Sequence, residues 1–131
     1  MNLSKLNRSR IALTASRWQV PRDYFDPLMN YLIHGFEPGS MWMGVLANDW
    51  RGAIQSSHPA NTIDALKMAT GWIHDTFPEE SFGSYAQIAA WMRLSAHDRR
   101  MILEGSGLLL TEQQEIMHTL KGAAVQEPQL Y

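Results

Sequence analysis

The groups in this chain of 131 residues that could move a proton or hold an ion are five histidines, thirteen carboxylates and eleven lysines and arginines. His34, His58, His74, His97 and His118 never stand three or four residues apart, so no helix offers two imidazoles on one face as a zinc site would. Cysteine is absent, which excludes a thiolate metal site and a disulfide framework. Glu79-Glu80 lies in a connector, and Glu112 with Glu115 falls in the first turn of a helix, where acids stabilise the amide-rich end. Gly105-Ser106-Gly107 has the outline of a phosphate loop without its lysine or preceding strand, and reads as a helix stop and turn. No Gly-x-Ser-x-Gly elbow occurs. The expectation is a protein that is not an enzyme, with no catalytic residue, no cofactor and no metal.

Charge points instead to a partner. The net charge of −2 conceals a segment, residues 1–22, in which Lys5, Arg8, Arg10, Arg17 and Arg22 meet no acid, while the rest of the chain is acidic. Such an arm can reach a phosphate backbone or an acidic protein surface, or lie solvated or docked against its own body. Lys5, Arg8, Arg10, Arg17 and Trp18 are therefore candidate partner contacts, with Asn48 and Arg51 on a second edge. The charged fraction of 18% is below the usual quarter, which suggests apolar surface covered by a partner. Five tryptophans suit a core with one or two exposed anchors, and eight methionines suit adaptable packing or an adaptable surface.

A nucleic-acid reading attaches to Gln87–Leu103, which has the rhythm of a helix-turn-helix and puts His97, Arg99 and Arg100 near the start of a recognition helix. Arg93 stands where the turn usually has glycine, and Glu79, Glu80, Asp98 and Glu104 surround the arginines, so the same residues also read as two packed helices with neutralised charges. A homo-oligomeric structural or virion component is a third class.

The elements that would position these residues are all helical. The expected fold is all-α, a compact bundle of about six short helices. The basic arm spans 1–20, a single helical domain 21–122 with a possible sub-boundary near 79–83, and a mobile tail 123–131. The arm has loosely spaced Leu3, Leu6, Ile11 and Leu13 for a short helix. Asp26-Pro27 opens a helix to His34, with Leu28, Tyr31 and Leu32 inward and Gly35 as its stop. Glu37-Pro38-Gly39 turns the chain, and Ser40 caps one helix from Met41 to about Gln55, with Trp42, Val45, Leu46, Trp50, Ala53 and Ile54 as its apolar stripe. Asn48 and Asp49 interrupt that stripe and are expected to fix packing, by accepting from the chain near Asn61 or by bonding an indole N–H.

Asn61 is expected to cap a third helix with Ile63, Leu66, Ala69, Thr70, Ile73 and Phe77 inward, Trp72 off that line, and Pro78 at its end. Three further helices begin at Ser84, Ser95 and Thr111, each a hydroxyl cap three residues before Gln87, Asp98 or Gln114, the first and last as capping boxes. Ile88, Trp91 and Met92 face inward on the first; Met101, Ile102 and Leu103 on the second; Ile116, Met117 and Leu120 on the third. Gly105 and Gly122 are the stops of the last two. No window sustains the alternation of a strand, none approaches 18 apolar residues, and the first residues lack the apolar core of a signal peptide. A cytoplasmic protein without a membrane span is expected.

Pro38-Gly39-Ser40, Val45-Leu46-Ala47-Asn48-Asp49-Trp50, Asn61, Trp72, Pro78, Gly83-Ser84 and Trp91 together resemble a pattern of small accessory proteins of tailed phages and prophages, over about residues 20–92. The family pattern is Pro-Gly-Ser-Phe followed by Val-Leu-x-Asn-Asp; this chain has Met41 for the phenylalanine and Trp50 where leucine is usual. The resemblance implies a phage accessory protein, acting in the host cell cytoplasm by protein binding and as an inhibitor of a host or defence complex. It carries over no catalytic residue.

Overall fold

The structure, a computed structural model, describes residues 1–121, so the expected tail at 123–131 and the Gly122 stop lie outside the described residues. Among the described residues the chain is all-α. Its helices are α1 (Lys5–Arg17), α2 (Arg22–His34), α3 (Ser40–Leu46), α4 (Trp50–Ser56), α5 (Ile63–Thr76), α6 (Tyr85–Arg93), α7 (Ala96–Gly105) and α8 (Glu112–Leu120), with a 3-10 turn at Glu79–Ser81. No helix among them is long and apolar enough to cross a membrane.

The basic segment takes the docked course. Ser4 caps α1 by accepting from the Asn7 amide, and Ile11, Ala12 and Ala15 are buried, two of them small enough to bring the helix close to the body. Trp72 of α5 donates its indole N–H to Thr14 Oγ1 at 2.9 Å, which fixes α1 against the centre of the core. The basic residues Lys5, Arg8 and Arg17 stay on the exposed side.

Helix α2 begins earlier than Asp26-Pro27 suggests. Pro21 stands at its N-cap, Asp26 is an exposed mid-helix residue, and Pro27 sits inside the helix. Proline there forfeits one backbone bond. Burial of Tyr24, Phe25 and Leu28 on the same turns offsets the loss. The stop is as expected: Gly35 has φ 69, the left-handed geometry that glycine takes without strain.

The single helix expected from Met41 to Gln55 is two. Gly39, not Ser40, is the N-cap of α3; the chain leaves α3 at Ala47, passes through Asn48 at φ 61, and restarts with Asp49 as the N-cap of α4. The break lets α4 fold back on α3 so closely that a Cβ on Gly44 would lie 2.6 Å from the Ala53 nitrogen. Asparagine tolerates the left-handed turn, and an aspartate at the restart satisfies the Gly52 amide at 3.0 Å.

Thr62, not Asn61, caps α5, and Ile63 is exposed, while Trp72 is fully buried. Asn61 serves a tertiary bond instead, accepting from Tyr24 Oη at 2.8 Å. The 79–83 segment is stitched to the bundle on both sides: Tyr31 Oη donates to the Ser81 carbonyl at 2.5 Å, and the Gly83 amide to the Leu46 carbonyl at 2.7 Å. Ser84, Ser95 and Thr111 cap α6, α7 and α8, but only Thr111 with Gln114 closes a full capping box. At α6 the Gln87 side chain instead accepts from the Ser84 hydroxyl.

The core runs through all the helices but α8, with Phe25, Tyr31, Trp72 and Trp91 as its largest fully buried side chains. Trp91 donates to the Leu32 carbonyl at 3.2 Å, and Phe25 stacks on Trp72, so the indoles are both filler and polar tie.

Candidate functional site

The candidate surface lies where α1 meets α8, and polar groups build it. Asn7 is buried, and its side-chain amide pairs with the backbone of Leu110 in both directions: Nδ2 donates to the carbonyl at 3.1 Å and Oδ1 accepts from the amide at 2.8 Å. Ser4 Oγ donates to Glu115 of α8. Arg10 Nη2 donates to the Gly107 carbonyl at 3.3 Å. These bonds fasten the α7–α8 connector and the first turns of α8 to α1.

No residue of α8 is buried. Ile116, Met117 and Leu120, expected to face inward, are exposed, Leu120 at 75%. Ile116, Met117 and Leu120, at i, i+1 and i+4, do share one face, but the polar ties seat the helix with that face outward. On α7 Leu103 alone of the three expected residues is buried, and Met101 is exposed.

Two open clefts flank Arg10. One, of about 180 Å³, lies between α1 and the Gly107-Leu108 turn and is lined also by Leu13 and Arg17. The other, of about 540 Å³, runs toward the end of α8 past Met117, His118 and Lys121. Arg10 and Arg17, expected as partner contacts, are thus brought together. The others are elsewhere. Arg8 pairs with Asp26 at 3.6 Å and lies 5.6 Å from the Phe25 ring centre, and Lys5 is exposed outside both clefts. Trp18 lies against Gly71 and donates to Asp75 Oδ2 at 3.2 Å, which commits its indole to the fold.

Asn48, on the α3–α4 turn, and Arg51, in the first turn of α4, are exposed and line neither cleft. Beside them Asp49 accepts from Tyr85 Oη at 2.6 Å, so of the polar pair Asp49 makes a tertiary tie, to a tyrosine of α6 rather than to an indole or the Asn61 region, while Asn48 supplies the left-handed turn. The Tyr85 hydroxyl and then the Gly52 amide hold the Asp49 carboxyl below its ordinary range, and the same bond raises Tyr85.

The helix-turn-helix arginines divide. Arg99 is buried, donating Nε to the Ile33 carbonyl at 3.0 Å and Nη1 to the Leu94 carbonyl. It thereby satisfies carbonyls at the ends of α2 and α6, where the helix dipoles favour a cation. A guanidinium so placed cannot reach a base edge. Arg100 pairs with Glu104 at 3.2 Å, and His97 is left exposed without them.

A third hollow, of about 300 Å³, lies between the chain start and α2 and is lined by Arg8, Asn30 and His34. Burial first, then the positive chain terminus and Arg99, lower the His34 pKa and so favour its neutral imidazole. Burial likewise raises Tyr31 far above its usual range. Among the described residues no three His, Asp or Glu side chains gather as metal ligands do.

Sequence reasoning missed Asn7 and the outward face of α8. An asparagine within a basic helix carries no signal of burial, since its partner lies about a hundred residues away. The class defined by fold and surface is an all-helical domain in which one helix turns an apolar face to solvent beside basic clefts. No protein-family model, no curated protein and no solved structure matches the chain.

Proposed function

We propose that this chain is a non-enzymatic accessory protein, of phage type, that acts in the host cytoplasm by binding another protein and inhibiting a host or defence complex. The observation that carries protein binding is α8: a capped helix with no buried residue presents Ile116, Met117 and Leu120 to solvent, while every other helix commits apolar side chains to the core. Exposed apolar side chains grouped on one helix face are the usual mark of a docking surface. The phage setting and the inhibitory role come from the resemblance over residues 20–92.

The test is a double substitution, I116E/L120E, in affinity purification with mass spectrometry from a bacterial host. Both side chains are exposed, so thermal unfolding should be unchanged. The wild type should retain a stoichiometric partner, and the variant should lose it by about tenfold or more, the effect of removing a buried apolar anchor. Recovery of the same partner by both proteins, or of none by the wild type, would overturn the reading.

A further inference from the structure

We infer that the two clefts joined at Arg10 form one groove that takes an acidic, partly apolar segment of a partner protein. This rests on the protein-binding reading and names the chemistry of the partner. Arg17, Arg10 and Lys121 place cations along the groove, and no carboxylate belongs to its described lining. That is a departure in a chain of net charge −2. Neither Arg10 nor Arg17 has a carboxylate within ion-pair distance among the described residues, whereas Arg8 and Arg100 do.

Arg10 is the centre of the groove. Its Nη2 is tied to Gly107, which fixes the guanidinium across the junction, while its Nε is buried with no hydrogen-bond partner. The guanidinium is thereby held in place at the junction, and a guanidinium presents the paired donors a carboxylate fits. Leu13, 44% exposed, and Met117, 50% exposed, stand beside the cations and offer apolar contact between them.

The same chemistry argues against nucleic acid. Single strands are held by aromatic platforms under the bases, and the one ring in the described lining of the two clefts is the half-buried His118 imidazole, with no Phe, Tyr or Trp beside it. Trp18, the nearest such residue in sequence, is held on Gly71 and Asp75. Alternating carboxylates and leucines match alternating cations and apolar side chains; a phosphate chain leaves Leu13 and Met117 unused.

The experiment is fluorescence anisotropy of the full chain with a labelled synthetic peptide of Glu, Asp and Leu, a lysine-substituted counterpart, and a duplex and a single-stranded DNA. The acidic peptide should bind, and its affinity should fall as salt rises. R10Q/R17Q should weaken it about tenfold, since each exposed ion pair contributes up to about fivefold. K67Q/R93Q, which removes equal charge from exposed positions outside the groove, should leave it within about twofold. Should R10Q unfold the chain, R17Q and K121Q, both at exposed side chains, carry the same comparison. Three results would overturn the groove: no binding of the acidic peptide, equal weakening by K67Q/R93Q, or tighter binding of either DNA with the same arginine dependence. Failure of the peptide while I116E/L120E still loses its partner would remove the groove and leave protein binding standing.

Discussion

The last two helices are attached to the body by opposite means. Helix α7 sends a buried cation inward: Arg99 spans the ends of α2 and α6 beneath Gly35, and Leu103 of the same helix is fully buried. Helix α8 buries nothing and is held through its connector, where Leu108 and Leu109 are buried and Asn7 pairs with Leu110, and through Ser4 with Glu115. Buried polar bonds are used in both places. What differs is that α7 adds core to the bond and α8 does not. The first arrangement makes a helix part of the global unfolding unit, and the second leaves it free to open by itself.

Breaking the tie of α7 should therefore have the largest effect. Replacing Arg99 by methionine keeps much of the volume but leaves the Ile33 and Leu94 carbonyls without their donor, at a cost of about 3 kcal/mol. Urea unfolding should show that loss in a single transition, with α2, α6 and α7 exchanging their amides together. Gly35 belongs to the same unit, since a Cβ there would lie 2.7 Å from Arg99 Nη1. A loss below about 1 kcal/mol would mean that water replaces the guanidinium and that the contrast with α8 is one of degree.

Breaking the tie of α8 should be smaller and local. Asn7→Ala strands both backbone groups of Leu110, about 2 kcal/mol if neither finds water. Because α8 has no core to lose, the expected signature is faster amide exchange over Glu112–Leu120, with protection in α2 and α7 retained. Uniformly faster exchange would place α8 in the same unit as α7 and remove the distinction.

How much of this was legible follows the reach of each cause. Hydroxyl caps at Ser84, Ser95 and Thr111 and the glycine stop at Gly35 act within a few residues, and the sequence pattern located all of them. The α3–α4 break depends on Gly44 meeting Ala53, and a run without proline conceals it. The face of α8 was misread, and on α7 Met101 alone of the three expected residues turns outward, because periodicity marks an apolar stripe without saying which way it turns. On α7 the orientation follows Arg99, on α8 Asn7, and both act across distances in sequence that no local window spans. Of the cations offered as partner contacts, Arg10 and Arg17 share a cleft because they lie seven residues apart, two turns of α1. Arg99 shared their charge and nothing in its neighbourhood distinguished it.

If burial decides what a polar tie is worth, a bond of good geometry left in solvent should matter least. Asp49 with Tyr85, at 2.6 Å on the surface, is that case. The carboxyl is held below its ordinary range, so the stabilisation it brings is full above the ordinary carboxylate pKa and disappears as pH falls through the lowered folded value. Tyr85 is raised, so its contribution is full below the ordinary tyrosine pKa and disappears as pH rises through the raised folded value. Between those limits Y85F should lower the melting temperature slightly, by less than either Asn7→Ala or Arg99→Met. At a pH low enough to protonate Asp49, the melting curves of Y85F and wild type should converge. A melting loss in Y85F as large as that of Arg99→Met, or one that persists unchanged into acid, would show that the hydroxyl acts through packing of α6 on α3, and that exposure is no guide to which ties hold this bundle.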